Sequence, residues 1–177
     1  MGKIFTRELY EEVIHCAENS VKRVDYKIFA DISHILVLGT NSVRGYKAFY
    51  TQYVEQNPKG KITLVAQSSM IKKQEQFIDD RTQPVIWNDG YSEEIVDALP
   101  TAVKKSIDGF LYFSSNRVKT TDVNILELAL KLTENTGIPV FCQEWSGGFY
   151  RIADVRLHQS ALKLYESMCA FASERYR

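Results

Sequence analysis

His34-Ile-Leu-Val-Leu-Gly39, followed by the polar residues Thr40-Asn41-Ser42, is the stretch of this sequence that decides the fold. A short apolar run without alternation is typical of a parallel strand that is buried on both faces. The same order, a strand-like run followed by small polar residues and a helix-like segment, recurs along the chain. Strands that alternate with helices predict an α/β sheet with helices on both faces. The other predicted strands are Lys61–Ala66, Val85–Trp87, Phe110–Phe113 and Ile138–Phe141.

These elements predict a three-layer α/β/α sandwich with a five-stranded, mainly parallel sheet. Two strand orders remain open, the flavodoxin-like order 2-1-3-4-5 and the Rossmann-like order 3-2-1-4-5. We expect a single domain over residues 1–177, with residues 1–30 as a helical extension packed on it. The extension contains a predicted helix from Arg7 to Val24, which either packs on the edge of the sheet or forms a contact between copies of the chain.

Four local features carry further expectations. Pro100 interrupts the helix that begins near Ser92, because a proline inside a helix removes a hydrogen bond and clashes with the preceding turn. Gly137 has the left-handed conformation that ends many helices. Residues 145–150 form a turn or flap. The tyrosines of the second predicted helix lie on one face, which is either core or a contact between copies: Tyr46, Tyr50 and Tyr53.

Composition narrows the classes of partner. The 22 basic and 22 acidic residues give a net charge of zero, so no long-range field attracts the chain to nucleic acid. No apolar run approaches the roughly 20 residues that span a bilayer, and we expect neither a secretory signal nor a membrane partner. The three cysteines, Cys16, Cys142 and Cys169, are scattered, which is typical of a reducing compartment. We therefore expect a cytoplasmic protein.

Two polar segments predict a ligand site at the carboxyl edge of the sheet, where parallel α/β proteins bind their ligands. One follows the first predicted strand and the other follows the fourth. Each combines hydroxyls, an amide and an arginine at the start of a helix, which suits a phosphate or a carboxylate. Neither has the glycine spacing of a dinucleotide site or a P-loop. The candidate ligand-binding residues are Thr40, Asn41, Ser42, Arg44, Ser114, Ser115, Asn116 and Arg117.

Two carboxylates, Asp89 after the third predicted strand and Glu144 after the fifth, are candidates for acid–base chemistry. Such a pair works when its surroundings separate the two pKa values. The sequence has no cluster of cysteine and histidine at metal-ligand spacing, so we expect no metal site. It identifies no cofactor.

The segment Asp154-Val-Arg-Leu-His158, which precedes a terminal helix, resembles the acid–base block of the SGNH (GDSL-type) esterase family. In that family a serine follows the first strand and an asparagine follows the third, positions that Ser42 and Asn88 occupy here. The first block here reads Gly-Thr-Asn-Ser where the family has Gly-Asp-Ser, and the spacing from Asp154 to His158 is one residue longer. The resemblance implies Ser42 as nucleophile, His158 as its base and Asp154 as the group that orients the imidazole.

The sequence thus leaves three functions open. The first is binding of a small anionic or nucleotide-like ligand at the carboxyl edge of the sheet, with group transfer or hydrolysis as the reaction if the protein is an enzyme. The second is a serine esterase that uses Ser42, Asp154 and His158. The third is a non-catalytic protein-interaction domain.

Overall fold

A single mixed sheet of seven strands runs through the part of the chain that the structure describes. The structure, a computed structural model, describes residues 7–22, 27–38, 43–88, 94–113, 127–131, 137–143 and 148–175. Five strands pair in parallel and two short strands at one edge pair antiparallel. The α/β class predicted from the sequence is confirmed. The strands are β1 (Val21–Lys22), β2 (His34–Leu38), β3 (Lys61–Ala66), β4 (Thr82–Ile86), β5 (Gly109–Phe113), β6 (Val140–Gln143) and β7 (Phe149–Ile152).

Helices connect the parallel strands. The helix that begins at Glu94 ends at Ala98, and the next one begins directly after Pro100, so the predicted interruption at this proline is confirmed. Gly137 has a φ of 66°, the left-handed conformation expected of it. The helices are α1 (Arg7–Ser20), α2 (Val43–Gln56), α3 (Ser68–Lys73) with a 3₁₀ turn at Glu75–Phe77, α4 (Glu94–Ala98), α5 (Thr101–Ser106), α6 (helical residues 127–131) and α7 (Val155–Arg175).

The strand order is β4-β3-β2-β5-β6-β7-β1. For the five predicted strands this is the order 3-2-1-4-5, the second of the two that the sequence left open. The predicted five-stranded sheet was incomplete, because Phe149 and Tyr150 lie in β7 and not in a turn or flap. Val21, expected in the first helix, lies in β1. Both corrections have one cause: β7 satisfies the free hydrogen-bonding edge of β6, and β1 in turn pairs with β7.

A hydrophobic core lies on each face of the sheet. Along β2, Ile35 and Val37 belong to one core, and Leu36 and Leu38 belong to the other. This explains why the strand is apolar at every position. The first core includes Tyr46, Phe49 and Tyr53 of α2, so the predicted aromatic face of this helix is core. The second core takes residues from α4, α5 and α6, among them Ile95, Val103, Leu128 and Ala129.

One carboxylate joins the amino ends of the two central strands. Asp108, which directly precedes β5, accepts hydrogen bonds from Ser33 N (3.0 Å), Ser33 Oγ (2.7 Å) and His34 N (2.8 Å). Burial opposes ionisation of Asp108, but these hydrogen bonds outweigh it and hold the pKa of the carboxyl below its usual value. The His34 ring contacts Ser106 Oγ and Thr63 Oγ1, each at 2.7 Å. Burial lowers the pKa of His34.

The free edge of β4 is interrupted by a proline. Arg81 O accepts a hydrogen bond from Ile62 N, and Trp87 N donates one to Ala66 O. Because alternate residues of a parallel strand bond to the same neighbour, Gln83 and Val85 also face β3. Thr82, Pro84 and Ile86 therefore direct their backbone groups outward, where Pro84 has no N–H to offer.

The helix that precedes the sheet lies against the helix that ends it, because α1 contacts α7. Leu9 and Val13 are the buried apolar residues of α1, and neither belongs to the two cores of the sheet. At the end of α1, Ser20 O accepts hydrogen bonds from Ala153 N (2.7 Å) and Asp154 N (3.2 Å). The N-terminal segment is therefore held by its own set of contacts.

Substitution of Gly60 by alanine is expected to destabilise the fold. A Cβ at this position would lie 2.5 Å from Tyr53 Oη and 2.7 Å from two carbons of the Tyr53 ring. The ring has little room to move, because it is fully buried and its hydroxyl lies 2.9 Å from Ile32 O. We expect Gly60→Ala to lower the free energy of unfolding by roughly 1–3 kcal/mol, measured by urea denaturation.

Gly137→Asn is the matched control, because a Cβ at Gly137 meets nothing within 4 Å and asparagine tolerates its positive φ. Equal stability of Gly60→Ala and the parent protein would contradict the packing of Tyr53 described above.

Candidate functional site

The carboxyl ends of β2 and β5 lie side by side at the centre of the sheet. The two strands pair in parallel, with Leu38 of β2 opposite Tyr112 of β5. From β2 the chain continues to β3 on one side, and from β5 it continues to β6 on the other side. A crevice forms where successive connections leave neighbouring strands in opposite directions, and open α/β sheets bind their ligands there. The sequence predicts the ligand site at this edge of the sheet.

Arg44 is the one predicted ligand-binding residue that the structure describes. It is exposed in the first turn of α2, which follows β2. The positive end of the helix dipole lies in this turn, so an anion there would meet both the guanidinium and the helix N-terminus. Apart from Asp154 and His158, the other predicted site residues lie outside the described residues and stay predictions: Thr40, Asn41, Ser42, Asp89, Ser114, Ser115, Asn116, Arg117 and Glu144.

Asn88 connects two loops at the same edge of the sheet. Its Oδ1 accepts hydrogen bonds from Ser68 N (3.0 Å) and Ser68 Oγ (3.3 Å). Ser68 is the first residue of α3, and Gln67 before it makes no capping hydrogen bond with its side chain. Asn88, which follows β4, therefore caps the helix that follows β3. The sequence placed Asn88 after its strand correctly, but it gave no sign of this partner.

His158 connects three elements. Its Nδ1 lies 2.9 Å from Ser20 Oγ at the end of α1, and its Nε2 lies 3.2 Å from Tyr112 Oη in β5. Ser20 Oγ donates its proton to Ala17 O at 2.9 Å, so it accepts from Nδ1–H. The lone pair of Nε2 is then left to accept from the Tyr112 hydroxyl. Both ring nitrogens are thus engaged by hydroxyl groups.

Burial lowers the pKa of His158 to about 4, so the ring is neutral at pH 7. Asp154, the group that the esterase resemblance assigns to orient this ring, uses its Oδ1 to accept a hydrogen bond from Leu157 N at 3.0 Å. In this contact Asp154 caps the first turn of α7. Ser42 lies outside the described residues, so its distance from His158 stays untested.

Sequence reasoning missed the two partners of His158. Ser20 had been assigned to the interior of a helix, and it is 138 residues from His158. Tyr112 carried one signal: a hydroxyl within the buried run Gly109–Phe113 needs a hydrogen-bond partner. That signal does not name the partner, which comes from a helix 46 residues later.

Within the described residues, no group of three or more histidine, cysteine, aspartate or glutamate side chains is arranged to hold a metal ion. No helix in these ranges is both long enough and apolar enough to cross a bilayer. Comparison with known proteins adds no constraint, because no family model matches the sequence and no curated protein is significantly similar to it.

Removal of the Tyr112 hydroxyl is expected to destabilise the protein. In Tyr112→Phe the Nε2 atom of His158 loses the donor that it accepts from in a buried environment. The cost of such an unpaired buried group is about 1–3 kcal/mol in the free energy of unfolding, measured by urea denaturation at pH 7.

Tyr10→Phe serves as the control, because it also removes one hydroxyl but from a residue that is 51% exposed. We expect it to change the free energy of unfolding by less than about 0.5 kcal/mol. If the two variants had the same free energy of unfolding, the contact between Tyr112 and His158 would contribute nothing to stability.

Proposed function

We propose that this protein binds a small anionic or nucleotide-like ligand at the carboxyl edge of its sheet, between the segments that follow β2 and β5. The observation that carries the proposal is the parallel pairing of these two strands, whose onward connections run to opposite sides. The last described residues before the two polar segments, Leu38 and Phe113, therefore lie on neighbouring strands. Open α/β sheets bind ligands at such a point.

The chemistry of the ligand is argued from the residues at this point. Arg44 is exposed and lies in the first turn of α2, a helix of 14 residues. A phosphate or carboxylate gains from the guanidinium and from the helix N-terminus together. The sequence adds hydroxyl and amide groups in residues 40–42 and 114–116, and a second cation at Arg117. These groups suit the hydrogen-bonding oxygens of a sugar phosphate or a nucleotide.

If the bound molecule is converted, group transfer or hydrolysis fits these polar segments better than hydride transfer, because the sequence has no GxGxxG fingerprint. A residue for the chemical step is not assigned within the described residues. The proposal is therefore one of binding, and catalysis is an outcome that the experiment below measures.

The described surface offers less to a protein partner. The aromatic face that favoured an interaction domain is largely core, since Tyr46 and Tyr53 are fully buried. The large apolar residues that are exposed in the described ranges are Tyr10 and Ile14 on α1 and Ile86 on β4. Tyr10 and Ile14 lie one turn apart on α1, whereas Ile86 is at the edge of the sheet opposite to the one that β1 joins.

A thermal-shift screen against nucleotides, sugar phosphates and short acyl esters tests the proposal. A ligand present at 100 times its Kd stabilises the folded state by about 2.7 kcal/mol and raises the melting temperature by several degrees. We expect one of the anionic compounds to give this shift, and we expect Arg44→Ala to reduce it by weakening binding at least about tenfold.

Lys47→Ala is the control, because Lys47 is also an exposed cation of α2 but lies one turn further along the helix. Equal losses in both variants would place the anion away from the start of α2 and contradict the proposed site. Hydrolysis of the acyl esters that disappears in Ser42→Ala, without any shift by anions, would favour the esterase instead.

A further inference from the structure

A polar pocket lies at the amino ends of β3 and β4, the end of the sheet opposite to the proposed ligand site. It has a volume of about 380 Å³ and is lined by residues 58–61 and 79–81, which lead into these two strands. Pockets for small molecules range from roughly 300 to 1,000 Å³, so this one has room for a small ligand. The six residues of β3 separate it from the carboxyl edge by about 20 Å.

Hydrogen bonds hold the two lining segments together. Ile62 N donates to Arg81 O at 2.9 Å, and Arg81 Nη1 donates to Pro58 O at 3.1 Å. Gly60 N donates to Asn57 O at 2.9 Å, which closes the turn before β3. A ligand that binds here does not have to order these segments, which lowers the cost of binding.

The carboxylate of Asp79 is occupied by groups of the protein itself. Its Oδ1 accepts hydrogen bonds from Arg81 N and Thr82 Oγ1, each at 3.2 Å. Its Oδ2 accepts from Arg81 Nε at 3.3 Å and from the Tyr50 hydroxyl. Because a carboxylate has about four lone-pair sites, these four donors fill them. Asp79 therefore orients Arg81 and does not attract a cationic ligand.

The guanidinium of Arg81 is held in one orientation and remains accessible. Its side chain is 24% exposed, and the contacts with Asp79 and Pro58 use two of its five N–H groups. Even with the Tyr50 hydroxyl beside it, the guanidinium keeps N–H groups for a ligand. A planar fork that is fixed in this way suits two oxygens of one anion.

Two lysines add positive charge around Arg81. Lys59 and Lys61 are exposed and line the same pocket, as do the carboxylates of Asp79 and Asp80. Arg81 and Asp79 form an ion pair, so the two lysines exceed the remaining carboxylate by one charge. The pocket therefore favours an anion.

We propose that this pocket binds the phosphate group of a small phosphate monoester, with Arg81 on two of its oxygens and the ammonium groups of Lys59 and Lys61 on the others. A phosphate has more acceptor oxygens than a carboxylate, so it engages all three cations together. The pocket has room for more than a phosphate, and the carboxylate of Asp80 suits the hydroxyl groups of an attached sugar. This site is independent of the proposed ligand site at the carboxyl edge.

An amide NMR titration of the full chain with ribose phosphate tests the inference, and ribose without the phosphate is the control ligand. The ionic strength is kept constant, because salt screens exposed charges. We expect ribose phosphate to shift the amide signals of residues 59–61 and 79–81 until they saturate, and ribose to leave them in place. The absence of saturating shifts at these residues would overturn the inference, and so would equal shifts with ribose.

Neutralisation of the two lysines tests the role of charge. We expect the double variant Lys59→Gln, Lys61→Gln to bind ribose phosphate at least about tenfold more weakly, because two charged hydrogen-bond donors are lost. The matched control is Lys72→Gln, Lys73→Gln, which changes the net charge equally at two exposed residues of α3 that do not line the pocket. Equal weakening in both double variants would overturn the inference, because it would show a general effect of net charge.

Two single variants separate this pocket from the proposed ligand site. Arg81→Lys keeps the charge and loses the fork, so we expect binding at least about tenfold weaker in a variant whose folding is checked by the same amide spectrum. Arg44→Ala is expected to leave the shifts of residues 59–61 and 79–81 unchanged. If ribose phosphate shifts only the start of α2, and Arg44→Ala abolishes those shifts, the inference is overturned and the proposed function is supported.

Discussion

The pairing of β2 with β5 is the constraint on which the rest of the structure depends. Paired residues of these two strands, such as Leu36 and Phe110, are 74 positions apart in the sequence, yet the strands are neighbours. Asp108 fixes this pairing at the amino ends, because its carboxylate binds backbone and side chain of Ser33 and the backbone of His34. Because the carboxylate accepts three hydrogen bonds, it stays ionised despite burial. Its hydrogen bonds are therefore charge-assisted and stronger than those between neutral groups. The other strands are added on either side of this pair, β3 and β4 on one side and β6, β7 and β1 on the other.

The proposed position of the ligand site depends on the same pairing. With the other strand order that the sequence allowed, the segments after β2 and β5 would be separated by a strand, and their polar groups would face different molecules. In the observed order they leave neighbouring strands. The strand order thus brings the ends of β2 and β5 together, which neither composition nor spacing could show.

The limits of prediction are visible in individual elements. The run His34–Leu38 predicted its strand well, because a strand that contributes to two cores is apolar at every position. The uniformly apolar pattern did not predict the strand order, because such a strand can pair with any other strand of the same kind. β7 was missed because Arg151, exposed between partly and fully buried neighbours, broke the apolar pattern after two glycines. β1 is too short to have a pattern at all, and it exists because β7 offers it a partner.

The contacts of the candidate residues were predictable only where they are local. The capping role of Asp154 follows from a spacing of three residues to Leu157, which the sequence shows directly. The contacts of His158 and Asn88 join residues from distant parts of the chain, 138 and 20 positions apart. A tertiary hydrogen bond leaves no periodic trace in a sequence. For this reason the positions of loops were easier to predict than the partners of individual polar groups.

Pro84 in the outer strand bears on how copies of this protein behave when they are crowded together. An exposed sheet edge is a template for strands of other molecules, and aggregation through such edges is a hazard of every open sheet. A strand that approached β4 would find no free donor at the first two of its three outward positions, because Thr82 N donates to Asp79 O and Pro84 has no N–H. The continuous ladder that fibre growth requires is broken there. The opposite edge ends in a strand of only two residues, which offers another molecule little backbone to pair with.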